Sequence, residues 1–284
     1  MNELSLFTGA GGGLLGTHML GWKAIGYVEW NEYCQRVIAA RIADGILPVA
    51  PIFTDVREFV QSGAATEYRG IADVVSGGFP CQPFFVAGKQ LGAADPRNMW
   101  PATIAVIRAV RPRFAFLENV PAILSSGYFG TILGDLAESG YNCRWRILSA
   151  AEMGAPHLRN RLWIVAYSRC TRMEEQELQH TNIFGRPSNA TTTQASVVAH
   201  ASGIGRRQVE SSVIRGKEKE WATNTPANGS YPRRGRWWKI EPDVGRVADG
   251  VAARVDRLKA AGNGQVPSVA AAAWRLLTSD LFAA

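Results

Sequence analysis

The sequence predicts an α/β fold with a mostly parallel sheet and helices on both faces. Three observations carry that expectation. Short β-rich runs alternate with helical patterns from residue 1 to about 167, the signature of parallel strands joined by crossover helices. The least ordinary residues, Gly9 to Gly13, Glu29, Cys81 and Glu118, fall at the carboxyl ends of the expected strands, where such sheets bind their ligands. The composition, 46% hydrophobic and 19% charged over 284 residues, is that of a globular chain with one large core or a core and a smaller lobe.

The elements follow in order. "ELSLF" reads as a strand running into glycines and then the helical "LLGTHML". "AIGYVEW" is a strand and "EYCQRVIAARI" a helix. "ADVVSGG" is a strand ending at "FPCQPFF". "DPRNMWPATIAVIRAVRP" is a helix with Asp95 and Pro96 as its start signal and Pro112 beyond its end. "RFAFLENV" is a strand, "YFGTILGDLAESGY" a helix and "RLWIVAY" a late strand. From about Ser168 the apolar periodicity weakens, and Ser, Thr, Asn, Gly and Arg dominate. That stretch is either a disordered insertion or a small irregular lobe, and Trp221, Trp237 and Trp238 argue for partial order. From about Asp243 the chain turns helical and apolar again through "GNGQVPSVAAAAWRLL". The expected organisation is therefore a first domain over 1–167, a lobe over 168–240, and a return to the first domain over 241–284.

Several classes are excluded. No run of eighteen apolar residues indicates a membrane span, and "MNELSLF" lacks the basic and long apolar segments of a secretory signal. Cys34, Cys81, Cys143 and Cys170 form no CxxC pair, and the four histidines are scattered. Neither a metal site nor a disulfide framework is expected, and a reducing cytoplasm suits the free thiols. The net charge is +7, and the stretch Ala199 to Lys239 alone holds nine Lys or Arg against three Glu. Such clustered cations either form a solvated face or release counterions from nucleic acid.

Two motifs carry chemistry. In "LSLFTGAGGGLLG", Gly11, Gly13 and Gly16 satisfy GxGxxG, and Glu29 ends the next strand. Glycines let a ligand approach the backbone, and an acid there accepts from two ribose hydroxyls. A dinucleotide and S-adenosylmethionine fit that physics equally, so the motif alone leaves the cofactor open. The second motif is "SGGFPCQPFFVAGKQ". Pro80 and Pro83 stiffen the backbone around Cys81, and Gly77 and Gly78 remove bulk beside it. A nucleophilic thiolate needs such an exposed, fixed position.

These residues resemble the cytosine carbon-5 DNA methyltransferases. "GGFPCQPF" is similar to that family's Pro-Cys-Gln catalytic loop, "LENV" (117–120) to its Glu-Asn-Val motif, and "FTGAG" to its cofactor loop. "HLRNR" (157–161) is similar to its Gln-x-Arg-x-Arg motif, and "GNGQVP" (262–267) to its last motif. All stand in the family's order, over residues 3–167 and 241–284. The resemblance implies a Rossmann-like S-adenosylmethionine-dependent methyltransferase domain with a small target-recognition lobe. It implies Cys81 as the nucleophile that adds to carbon 6 of a flipped cytosine, and Glu118 as the group protonating ring nitrogen 3. Arg161 would hold the cytosine carbonyl, and Arg159 would support the nearby carboxylates. For the cofactor it implies Phe7 on the adenine, Gly9, Gly11 and Gly12 along the loop, and Glu29 on the ribose hydroxyls. Trp30 would cover the adenine edge and Asp55 would accept from the adenine amino group. Gly78 and Pro80 would border the methionine end, and Asn263 would close the site.

The implied partner is double-stranded DNA, bound by a monomer, with no metal and no membrane. The basic stretch would become the DNA surface, with Arg206, Arg207, Arg233, Arg234 and Arg236 on phosphates. Its shortness suggests a short recognition sequence. A cognate restriction nuclease fits the family, as does action in the cytoplasm of a prokaryote or of a virus-infected cell. Three positions depart from the family: Phe85 where a serine is usual, His157 for glutamine, and Gln265 where a small or apolar residue is usual. A tRNA methyltransferase on the same catalytic domain, and a DNA-binding relative without turnover, remain as alternatives.

Overall fold

The structure is a computed structural model that describes residues 1–80, 97–168 and 254–282. All of these residues belong to one compact unit. Cys81, Phe85, the five candidate DNA-binding arginines and the whole proposed lobe beyond Ser168 lie outside the described residues.

Seven strands form one sheet. In chain order the elements are β1 (Asn2–Leu6), α1 (Gly12–His18), β2 (Lys23–Val28), α2 (Glu32–Ala43), β3 (Ile52–Phe53), α3 (Val56–Gln61) and β4 (Val74–Gly78). They continue with α4 (Trp100–Val110), β5 (Phe114–Asn119), α5 (Tyr128–Glu138), β6 (Tyr141–Leu148), β7 (Arg161–Ser168), α6 (Arg254–Asn263) and α7 (Pro267–Thr278). The strand order is β3-β2-β1-β4-β5-β7-β6. β1 pairs in parallel with both β2 and β4, and β4 with β5. The chain thus winds outward from β1 in one direction, returns to β4 and winds the other way, leaving a crevice between the ends of β1 and β4. β7 is inserted antiparallel between β5 and β6. An antiparallel pair needs no crossover helix, so the short 149–160 segment suffices to join β6 to β7.

Strand alternation divides the core into two layers. Along β5, Ala115 and Leu117 join Val56, Phe59, Ile104, Ile107 and Ile132 under α3, α4 and α5. Phe114 and Phe116 face the other side, with Trp163, Val269, Ala270 and Trp274. That period of two is the pleat of a strand buried on both faces. Trp274 of α7 packs edge-on against Trp22, Phe114 and Phe116, with ring centroids 4.6, 5.2 and 5.5 Å away. α7 also lies directly on α1. A Cβ on Gly16 would sit 2.6 Å from the Pro267 carbonyl oxygen and 2.8 Å from the Ala270 methyl group. The third glycine of GxGxxG therefore serves helix packing.

Two expectations about elements need correction. The helix expected from Asp95 begins only at Trp100, because Arg97 to Met99 are not helical. Pro101 explains the shift. Its missing N–H and its ring are tolerated in a first turn but not in the interior of a helix begun at residue 96. The Asn98 side chain accepts from the Trp100 N–H at 3.1 Å. The apolar return to the first domain is two helices, broken at Gly264 to Val266, with Pro267 opening the second.

Candidate active site

At the carboxyl ends of the parallel strands lies a cleft of about 350 Å³, bordered by the loops after β1, β2 and β4 and by α6. That volume is in the range of about 300–1,000 Å³ usual for small-molecule sites. Phe7, Gly9, Glu29, Trp30, Gly78, Pro80, Glu118 and Asn263 all line it. They come from five separate places in the chain, and the topology brings them to one edge.

The glycine loop is shaped by backbone that favours glycine. Gly9 and Gly11 have φ of 58° and 88°, in the left-handed region. Phe7 shares that region at φ 49° without being glycine, a strained backbone placed where its ring borders the cleft. Gly11 and Gly12 do not line the cleft. Gly11 is the N-cap of α1, and a Cβ on Gly12 would collide with the Gln265 carbonyl.

Glu29, just beyond β2, accepts the Gly9 N–H at 2.6 Å and the Asn31 N–H at 2.7 Å, one on each carboxylate oxygen. Neutral backbone donors fix the carboxylate at the cleft wall, and each oxygen keeps a further lone pair. Trp30 beside it is 70% exposed, a flat apolar face at the cleft left largely uncovered among the described residues. Asp55, which the resemblance assigns to the adenine amino group, is bound within its own segment. It is the N-cap of α3, accepting the Arg57 N–H at 2.8 Å, and its carboxylate is paired with the Arg57 guanidinium at 2.8 Å. That hydrogen-bonded arginine holds the Asp55 carboxyl below its usual range, and Asp55 is not among the residues lining the cleft.

Glu118 ends β5 and is 8% exposed. The Arg161 Nε, opening β7, lies 2.9 Å from its Oε1, and the Gln265 Nε2 donates to its Oε2 at 3.4 Å. Burial pushes the Glu118 carboxyl up from its ordinary value, and Arg161, Gln265 and Arg159 only partly oppose this. A carboxyl raised in this way can hold a proton for an acceptor brought against it. Arg159 reaches elsewhere: its Nη2 donates to the Gly262 carbonyl at 2.8 Å and to the Gly264 carbonyl. It ties the loop before β7 to the end of α6, and its backbone is itself left-handed at φ 41°.

Other residues at the site were not singled out in the sequence. Asp256, Lys259 and Ala260 line the cleft together with Asn263. Their spacing of three, four and seven puts them on one face of α6, a signal present in "RVDRLKAAGN". Beneath the cleft, Glu3 is fully buried and accepts the Ser76 hydroxyl at 2.5 Å and the Thr17 hydroxyl at 2.5 Å. Burial pushes its carboxyl up to about 7 against the opposing effect of those hydrogen bonds. A charged residue inside the apolar "ELSLF" was the available signal. Cys34 also borders the cleft, but burial, then Glu29 and Asp256, push its thiol up to about 11, so it stays protonated and inert. Among the described residues, no group of three or more His, Cys, Asp or Glu could hold a metal, and no helix is long and apolar enough to cross a membrane.

A doubly wound sheet with an antiparallel β7, a glycine turn after β1 and an acid after β2 define an α/β methyltransferase fold of the S-adenosylmethionine-dependent kind. Within that class the chain belongs to the C-5 cytosine-specific DNA methylase family, whose family model matches residues 1–270. Among curated proteins it is 33% identical over 188 residues to the type II methyltransferase M.NgoMIV of Neisseria gonorrhoeae, covering 65% of this chain and 54% of that one. To the type II methyltransferase M.HpaII of Haemophilus parainfluenzae it is 33% identical over 175 residues, covering 59% and 46%. The chain thus spans about half the length of these relatives. Among solved structures it resembles a mutant DNMT2 of Spodoptera frugiperda, with TM-score 0.49, 20% identity, and coverage of 59% of this chain and 50% of that one. It also resembles the Dnmt2 methyltransferase of S. pombe, with TM-score 0.48, 18% identity, and coverage of 66% and 57%.

Proposed function

We propose that the chain is a DNA (cytosine-5)-methyltransferase, methylating carbon 5 of a flipped cytosine within a short duplex sequence through a covalent Cys81 adduct. The observation that carries this is the buried Glu118, held by Arg161 beside Gly78 and Pro80, with Cys81 the next residue in sequence. The proposed proton donor thus lines one cleft with Glu29 and with Pro80, the residue that precedes the candidate thiolate in sequence.

The cofactor reading is S-adenosylmethionine, and the residues fit it. Glu29 offers fixed acceptor lone pairs for ribose hydroxyls, and Phe7 and Trp30 offer aromatic faces for an adenine. Gly78, Pro80 and Asn263 also line the cleft, Gly78 directly against the Glu118 carboxylate. When bound, S-adenosylmethionine supplies an electrophilic methyl group to carbon 5.

The chain's own residues do the rest. The Cys81 thiolate forms a bond to carbon 6, and the ring's π electrons shift toward nitrogen 3, which takes a proton from Glu118. Carbon 5 becomes an enamine carbon and therefore nucleophilic. Arg161 counters the charge left on Glu118 and neighbours the cytosine carbonyl. After transfer, a base removes the carbon-5 proton as the sulfur–carbon 6 bond breaks, returning the electron pair to sulfur, and nitrogen 3 gives its proton back to Glu118. The cytosine must leave the stack for this chemistry. The 168–240 stretch, with Arg206, Arg207, Arg233, Arg234 and Arg236, is proposed to hold the opened DNA through its phosphates. The type II names of the relatives support a restriction-modification setting.

The test is methyl transfer to mixed-sequence duplex DNA, read by base-resolution sequencing, with tRNA as a parallel substrate. Methylation confined to one short DNA motif, lost in Cys81→Ala with DNA binding retained, is expected. Methylation of tRNA alone, or transfer that survives Cys81→Ala, would overturn the proposal.

A further inference from the structure

One side chain at the cleft lies beside Glu118 without a part in the reaction just described. Gln265 sits in the break between α6 and α7, and its side chain lies between the loop after β1 and the end of β4. Three glycines leave room for it. A Cβ on Gly12 would collide with its backbone carbonyl, and one on Gly13 with its Oε1. A Cβ on Gly78 would come within 3.1 Å of its Nε2. Gly12 and Gly13 belong to the loop after β1, and Gly78 ends β4, so two loops on either side of the crevice are cleared around one amide. Arg159 secures the same residue from behind by bonding the Gly262 and Gly264 carbonyls that precede it.

We propose that Gln265 is a positioning residue for Glu118: its amide donates to Oε2 while Arg161 holds Oε1, so the carboxyl is fixed in plane with one oxygen assigned to each neighbour. The inference rests on the reading of Glu118 as the proton donor. The ionised carboxylate accepts only, so in that state the amide nitrogen is the atom that faces it; in the acid, Oε2 can still accept from the amide while its O–H points away. Arg161 already occupies Oε1, which leaves Oε2 as the oxygen able to carry and deliver the proton. Among the described residues, the groups facing Glu118 are then Arg161 on β7, Arg159 in the loop before it, and Gln265 after α6. Of these, Gln265 alone is uncharged. It aligns the carboxyl without adding a second guanidinium at the transferring oxygen.

The test replaces the amide by an isostere. Gln265→Met keeps length and volume and removes the donor. With glutamate carbon-13 labelled at the side-chain carboxyl, and the Glu118 signal assigned by its loss in Glu118→Gln, the titration of Glu118 is followed in each protein without cofactor or DNA. Loss of a donor to the charged form disfavours ionisation, so the Glu118 midpoint is expected to move to higher pH in Gln265→Met. It should move further in Gln265→Glu, which adds a like charge and serves if the methionine variant does not fold. A midpoint unchanged in both overturns the inference. In turnover, Gln265→Met is expected to lower kcat about tenfold, the usual scale for a hydrogen bond to a charged group. The cofactor Kd should change less than about threefold, and the kcat effect should vanish in a Glu118→Gln background. An equal fall in both backgrounds would also overturn it. Absence of methyl transfer by the unaltered chain would count against the proposed reaction instead, and the titration would still decide this inference.

Discussion

Two strand ends each present a carboxylate to the same cleft, and they hold it by opposite means. After β2, Glu29 is gripped by two backbone N–H groups whose positions follow from the path of the chain. After β5, Glu118 is gripped by side chains, Arg161 and Gln265, that arrive from remote segments. Backbone donors give a fixed acceptor suited to binding. Side-chain donors around a buried acid leave its proton affinity open to adjustment, which suits proton transfer. The contrast supports the proposed division between a binding carboxylate and a reactive one without reference to any ligand.

The comparison can be broken most directly at Glu118. Glu118→Gln should lower methyl transfer by roughly 10²- to 10⁴-fold, the range for loss of a general acid, while leaving cofactor affinity within about threefold. Calorimetric titration and single-turnover rates would show this, and an intact rate would place the proton donor elsewhere. Glu3, buried beneath both, extends the comparison to a carboxylate with no exposed face. Its pKa is raised to about 7 in the folded state, so its favourable contribution is complete below the ordinary carboxylate range and is lost as pH rises through about 7. Relative to Glu3→Gln, the unaltered chain should therefore lose on the order of 3 kcal/mol between pH 4.5 and pH 8, measured by urea unfolding at each pH. Parallel stability curves would show that Glu3 ionises freely.

At the other strand end, Glu29→Gln turns an amide toward one of two backbone donors. It should weaken cofactor binding roughly tenfold to a hundredfold, with kcat at saturating cofactor nearly unchanged. A kcat defect without a binding defect would erase the distinction between the two ends. The smallest effect is expected at Asp55. As the N-cap of α3, its replacement by alanine should cost about 1 kcal/mol of stability and leave cofactor Kd unchanged. A clear loss of cofactor affinity would restore the role in adenine binding that the resemblance implied.

What the sequence disclosed follows the same division. The glycine turn, Glu29, Glu118 and the alternation of β and α were legible because each is written in a few adjacent residues. The short β3 and the edge strand β6 were not. Ile52–Phe53 is too brief to show a period, and "YNCRWRIL" interleaves Arg144 and Arg146 with apolar residues, as a half-exposed edge permits. The capping of α3 by Asp55 is written locally, in an aspartate directly before "VREFV". The approach of Gln265 to Glu118 spans 147 residues of sequence. No local pattern encodes it; the switch-point topology and the glycines that clear its path do.

The seating of α7 on α1 also sets a timetable. The aromatic layer of Trp22, Phe114, Phe116 and Trp163 is completed by Trp274, and Gln265 comes just before α7. During synthesis, the sheet strands leave the ribosome about a hundred residues ahead of that helix, a delay on the order of ten seconds at ordinary translation speeds. Through that interval, among the described residues, the aromatic layer lacks Trp274 and the cleft lacks the α6 and Gln265 part of its wall. Helpers that shield apolar surface on emerging chains should matter more for its yield than for that of a protein whose core closes in sequence order, and a message cut short before α7 would leave this layer open.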